Sequence, residues 1–208
     1  MTEIEAPTTV HLAVYDTLAD WETGHATAWL ARAGYTVRTV GPDDRPAGEP
    51  VTTLAGIRVV PDLALADLDP ADSALLILPG AETYDEGDAL APFTAKARAF
   101  LDAGVPVAAI CGATAGLARE GLLDARPHTS AAPFYLAATG YAGGEHYVEA
   151  DAVTDGDLIT AGPTEPVAFA REIFARLGAY EGRRDAWYRL FHDSDPAAFA
   201  ELHADDDA

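Results

Sequence analysis

Apolar residues in this chain of 208 residues alternate between two kinds of pattern. Val10-His-Leu-Ala-Val-Tyr15 is a strand-forming run that leads into Asp16-Thr-Leu-Ala-Asp20, a turn offering carboxylates as helix caps. From Trp21 to Ala33 the residues Ala26, Trp29, Leu30 and Ala33 recur at helical spacing, with Gly34 as the stop. Tyr35 to Val40 reads as a second strand, so the chain opens β-α-β, the signature of a parallel sheet. Val51 to Pro61 predicts a short hairpin turning at Ala55-Gly56, off the main sheet. Ala74-Leu-Leu-Ile-Leu78 and Val105-Pro-Val-Ala-Ala-Ile110 are continuous apolar runs, as expected of strands buried on both faces. Helices are predicted over Leu90–Ala103 and Ala113–Arg119, and a short one over Pro133–Thr139. Tyr147–Val153 and Leu158–Ala161 read as paired strands turning at Asp155-Gly156, and Thr164 as the cap of a helix running to Leu177. Beyond it, Trp187, Leu190 and Phe191 at helical spacing, then Phe199 and Leu202, predict a docked accessory helix with a disordered acidic end from His203 to Ala208.

Composition narrows this to one α/β domain. No run of about 18 apolar residues is present, which argues against a membrane helix. Met1 to Thr9 lacks a basic-then-apolar pattern, so the chain reads as cytoplasmic with a frayed start. Net charge is −21, from 34 acidic and 13 basic residues, with one lysine, Lys96. Such a surface repels phosphate backbones, which makes nucleic acid and anionic membranes poor partners. Adaptation to high salt and a codon bias against lysine account for the acidity equally well.

One cysteine, Cys111, excludes a disulfide framework and a thiolate-rich metal centre. It stands in Val107-Ala-Ala-Ile-Cys-Gly-Ala-Thr-Ala-Gly-Leu117, where a buried strand turns at once into a helix. That is a nucleophile elbow, which puts the thiol at the C-terminal edge of the sheet beside the free amides of a helix start. The alternative for a lone cysteine is an inert core residue. Gly80, closing the neighbouring strand in Leu78-Pro-Gly80, pairs with Gly112 as a candidate oxyanion hole. Glu22 and His128 are candidate proton carriers, although spacing alone does not separate them from a solvated glutamate and a structural histidine. No metal is expected, since Glu22 and His25 lack a third ligand.

Asp20-Trp-Glu22, Leu78-Pro-Gly80, Ala108-Ala-Ile-Cys-Gly-Ala113 and Thr160-Ala-Gly-Pro163, in that order, resemble the DJ-1/PfpI (ThiJ) superfamily, relatives of class I glutamine amidotransferases. The resemblance implies a flavodoxin-like three-layer sandwich with a mostly parallel central sheet over residues 9–178, and residues 179–208, read above as an accessory helix and acidic tail, lie outside it. It implies a homodimer, no cofactor and a small-molecule substrate. Cys111 would be the nucleophile, held ionised beside a Glu22 that keeps its proton, because two negative groups in contact disfavour each other. His128 would accompany the pair. Two departures bear on activity. Gly112 follows the nucleophile where protease-like branches carry His, and no His-x-Glu pair of the glutaminase kind is present. The expected activity is therefore addition of Cys111 to a small electrophile such as methylglyoxal, or hydration of an amide or isonitrile. The alternatives are a redox-responsive protein with an oxidisable cysteine, or a holdase-like chaperone.

Overall fold

A computed structural model describes residues 8–45 and 48–203. Met1–Pro7 and Ala204–Ala208 lie outside the described residues, and with them the expected frayed start and most of the expected acidic end. Strand β1 is Thr9–Ala13, followed by helix α1 (Gly24–Arg32) and β2 (Thr36–Gly41). A small hairpin, β3 (Val51–Thr52) and β4 (Arg58–Val59), stands apart as a two-stranded sheet. β5 (Leu63–Ala64), β6 (Leu75–Leu78), α2 (Ala91–Asp102), β7 (Val107–Ile110) and α3 (Gly112–Arg119) come next. The chain continues through α4 (Pro133–Ala137), β8 (Ala152–Asp155), β9 (Leu158–Ala161), α5 (Pro166–Leu177), α6 (Arg184–His192) and α7 (Ala197–Leu202).

The main sheet has the order β5-β2-β1-β6-β7-β9-β8 and is parallel except for the β8–β9 hairpin at its edge. β6 and β7 are buried on both faces, and their residues alternate between two cores. Leu76, Leu78, Val107 and Ala109 join the core under α2 and α3, while Leu75, Ile77, Ala108 and Ile110 face α1 and α5. This is the flavodoxin-like sandwich, helices covering both faces of a mostly parallel sheet. No helix among the described residues is long and apolar enough to cross a membrane.

Several boundaries depart from the sequence expectation. Helix α1 begins at Gly24, not at Trp21, and has no side-chain cap. The carboxylates expected to cap it go elsewhere, since Asp16 accepts from the Thr52 amide at 2.8 Å and Asp20 from the Ala55 amide at 2.8 Å, tying down the β3–β4 hairpin. Glu22 is thereby left in the turn ahead of the helix. Glu165, not Thr164, precedes α5, and the Thr164 hydroxyl donates to the Glu165 carboxylate. The strand expected from Tyr147 starts only at Ala152, because Tyr147 pairs with His128 in an isolated bridge instead. The tail is two helices. Trp187 is fully buried in the core under α1 and α5, with its ring 4.9 Å from that of Phe174. His203, expected to begin the disordered end, stacks on Phe199.

Candidate functional site

The switch in strand order between β1 and β6 opens a crevice at the C-terminal ends of the parallel strands, the place where sheets of this kind bind ligands. Three chain segments converge there. The first follows β1, where Leu18 bridges to Ala81 and the Ala19 amide donates to the Gly80 carbonyl at 2.9 Å. Those contacts deliver Glu22, with no solvent exposure, against the turn after β6, where its Oε2 accepts from the Gly80 amide at 2.6 Å. Tyr15 adds a hydrogen bond to the Pro79 carbonyl from below.

The third segment is the elbow. Cys111 adopts φ 57° and ψ −126°, a conformation that a residue with a side chain rarely takes and one that costs roughly 1–3 kcal/mol. Both of its backbone groups are held. Its amide donates to the Ala161 carbonyl of β9 at 3.0 Å, and its carbonyl accepts from the Thr114 amide at 3.1 Å and the Thr114 hydroxyl at 2.6 Å. Thr114 Oγ1 in turn meets Ser130 Oγ at 2.6 Å. The strain is thus maintained from β9, α3 and the 128–130 segment together. A Cβ built on Gly80 would lie 2.7 Å from Cys111 Cβ, 3.0 Å from its Sγ and 3.0 Å from Glu22 Oε1, so only glycine lets sulfur and carboxyl converge.

Burial dominates the electrostatics of this pair. It pushes the Glu22 carboxyl up to about 7, against the pull of the Gly80 amide and of the neighbouring thiol, which both favour the ionised form. Oε1 faces the sulfur without an aligned hydrogen bond. The Cys111 thiol is pushed up to about 12, first by burial and then by the charge and contact of Glu22, while the Gly112 amide turned toward the sulfur works in the opposite direction. Above about pH 7 the two groups therefore share one proton. The sequence reading placed the charge on sulfur at rest. The structure favours the carboxylate, because burial and a second negative residue, Asp85, both disfavour a thiolate.

Of the residues named from sequence, Cys111, Glu22, Gly80 and Gly112 come together, and His128 does not join them. His128 is fully buried, with Nδ1 2.8 Å from the Arg126 carbonyl and Nε2 3.1 Å from the Tyr141 hydroxyl. Both ring nitrogens are occupied, and its edge packs against Tyr141 and Tyr147. The expected oxyanion hole also changes, since the Gly80 amide is taken by Glu22 and the Gly112 amide is turned to the sulfur. Thr114, Ser130, Asp85 and Tyr135 were not named from sequence. Tyr135 donates to Asp85 Oδ1 at 2.8 Å, and both are electrostatically coupled to the thiol. Thr114 falls within the elbow segment read from sequence, but nothing in its spacing or in that of Ser130 marks them as partners.

A doubly wound sheet with a strained cysteine between a strand end and a helix start, backed by a buried carboxyl, defines the class of cysteine-elbow α/β proteins. The DJ-1/PfpI family model matches residues 8–176, and the chain belongs to that family. It is 36% identical over 204 residues to a Bacillus subtilis protein named uncharacterized protease YoaZ, covering 93% of this chain and 95% of that one. It is 30% identical over 150 residues to protein/nucleic acid deglycase 2 of Escherichia coli, covering 71% and 85%. Among solved structures, a ThiJ/PfpI family protein of Bacillus anthracis superposes with a TM-score of 0.86 at 33% identity, covering 95% of this chain and 96% of that one. A DJ-1 superfamily protein of Agrobacterium tumefaciens gives 0.81 at 32% identity, covering 89% and 98%.

Proposed function

We propose that this chain is a cysteine-dependent enzyme acting on small electrophilic carbonyl compounds. One observation carries the reading: Cys111 Sγ and Glu22 Oε1 converge on a single point above Gly80, with a carboxyl that titrates at about 7. A general base poised near the working pH is the group such chemistry needs.

With methylglyoxal as substrate, the ionised Glu22 takes the thiol proton as sulfur adds to the aldehyde carbon. The proton then passes to the new alkoxide, giving a hemithioacetal. Glu22 next removes the hydrogen from the former aldehyde carbon and returns it to the adjacent carbon, while the hydroxyl proton passes to that carbon's oxygen, leaving a thioester of lactate. Water cleaves the thioester, releasing lactate and restoring the thiol, so the sum is methylglyoxal plus water to lactate. Every step uses one carboxyl and one thiol. The deglycase name of the Escherichia coli relative is in keeping with carbonyl chemistry of this kind.

The protease name of the Bacillus subtilis relative suits this site less well. Peptide cleavage by a cysteine nucleophile typically uses a histidine to protonate the leaving amine, and neither a histidine next to Cys111 nor a free nitrogen of His128 is there to do so. The experiment is turnover of methylglyoxal to lactate by wild type, Cys111→Ala and Glu22→Gln. Loss of at least 100-fold in both variants is expected. No wild-type rate above that of Cys111→Ala would remove the reading, and a gain of two oxygens at Cys111 under mild peroxide without turnover would favour a redox role instead.

A further inference from the structure

Beyond the C-terminal end of β9, one imidazole and two carboxylates meet from three separate stretches of chain. Asp151 lies just before β8, Glu165 just before α5, and His192 ends α6. One ligand atom from each lies within 4.8 Å of the other two. None of the three takes part in the Cys111 pair.

The surroundings of His192 add an independent indication. Its Nδ1 stands 2.6 Å from Oδ1 of Asp193, a carboxylate outside the triad, while Nε2 faces Asp151 Oδ2 at 3.7 Å. The ring is stacked on Tyr188 with centroids 4.5 Å apart and planes 17° apart. A histidine that gives one ring N–H to a carboxylate presents its other nitrogen as a lone pair in a fixed direction, as metal-bound histidines do. The Glu165 side chain caps no amide of α5, so its position at the helix start is not explained by capping. Asp151 and Glu165 also line a cavity of about 500 Å³ shared with Ser130, Tyr147 and Gly162, which leaves a further position open to solvent or ligand.

We propose that Asp151, Glu165 and His192 form a zinc site that pins helix α6 to the end of the sheet. One nitrogen and two carboxylate oxygens with an open fourth position suit zinc, whereas magnesium and calcium prefer cages of oxygen alone. Tetrahedral ligand atoms at about 2.0–2.2 Å from one ion stand about 3.3–3.6 Å apart. The triad therefore closes by up to about 1.5 Å, through side-chain rotation at Asp151 and His192, which are 55% and 35% exposed.

The test is calorimetric titration of the metal-free full chain with zinc at pH 7.5, alongside thermal melting. One zinc per chain is expected, with Tm raised by about 5–10 °C at zinc a hundredfold above Kd. Both effects persist in Cys111→Ala and vanish in Asp151→Asn and His192→Gln, whose zinc-free melting stays within about 2 °C of wild type because the positions are exposed. The proposal is overturned by the absence of zinc binding, by zinc binding that survives those two substitutions, by its loss in Cys111→Ala, or by an equal effect of magnesium.

Discussion

At Glu22 the folded chain holds a carboxyl away from water and raises it from 4.5 to about 7. A group raised in this way binds its proton more tightly folded than unfolded. Stability is therefore greatest below pH 4.5 as far as this residue is concerned, and falls as pH rises through 7. The shift corresponds to at most about 3 kcal/mol. Glu22→Gln keeps an acceptor for the Gly80 amide and removes the charge, so it should be more stable than wild type at pH 8 by up to that amount. The gain should disappear at pH 4.5, as denaturant melts at the two pH values would show. Gly80→Ala is expected to do the reverse. Its Cβ would push against Cys111 and Glu22 at 3.0 Å or less, and two sides of the crevice cannot both yield. Turnover should fall by more than 100-fold with a stability loss of about 1–3 kcal/mol. The elbow and its glycines were legible as a pattern, whereas the occupation of both amides was not. Spacing shows that an amide is near a site but not which acceptor reaches it first. His128 makes the same point, because two hydrogen bonds and two tyrosine rings absorb a side chain that its loop position left undecided.

Among the elements, β6, β7 and α3 were read nearly to the residue, since uninterrupted apolar runs ending in Gly leave little choice of structure. Ends governed by long-range partners were misjudged. Asp16 and Asp20 looked like caps of α1 but serve the β3–β4 hairpin, and Tyr147 left the edge strand to pair with His128. The tail was expected as one accessory helix, yet α6 carries Trp187 into the same core as α1 and α5. Trp187 meets His25, Trp29, Phe174 and Phe191 edge-on or tilted at 4.9–6.0 Å. Trp187→Ala should accordingly cost about 3–5 kcal/mol. Because the tail belongs to the core, far-UV circular dichroism should still show a single transition at a lower midpoint. A separate early transition confined to the tail would show that α6 is peripheral.

Taken whole, the molecule carries −21 charges on 208 residues, and its salt bridges join exposed or half-exposed partners that each contribute little. Self-repulsion of that size weakens the compact state at low ionic strength, where the screening length reaches about 30 Å at 0.01 M against 3 Å at 1 M. Tm is expected to rise steadily from 10 mM to 1 M NaCl, and a flat or falling curve would mean that surface repulsion has no net effect. The same surface leaves the site to be set by local groups. Reactivity at the site depends on Cys111 and Glu22 sharing one proton, and Cys111 is the only cysteine that a thiol reagent can report. The most direct measurement is the rate of Cys111 alkylation by iodoacetamide from pH 5 to 10, in wild type and Glu22→Gln. Wild type should show a rise centred near pH 7 and then a plateau, as the pair loses its first proton and keeps its second. Glu22→Gln should lose that rise and show a single ionisation well above 7. A wild-type profile centred on free cysteine's value of about 8.5, or a rise near 7 that survives Glu22→Gln, would contradict it.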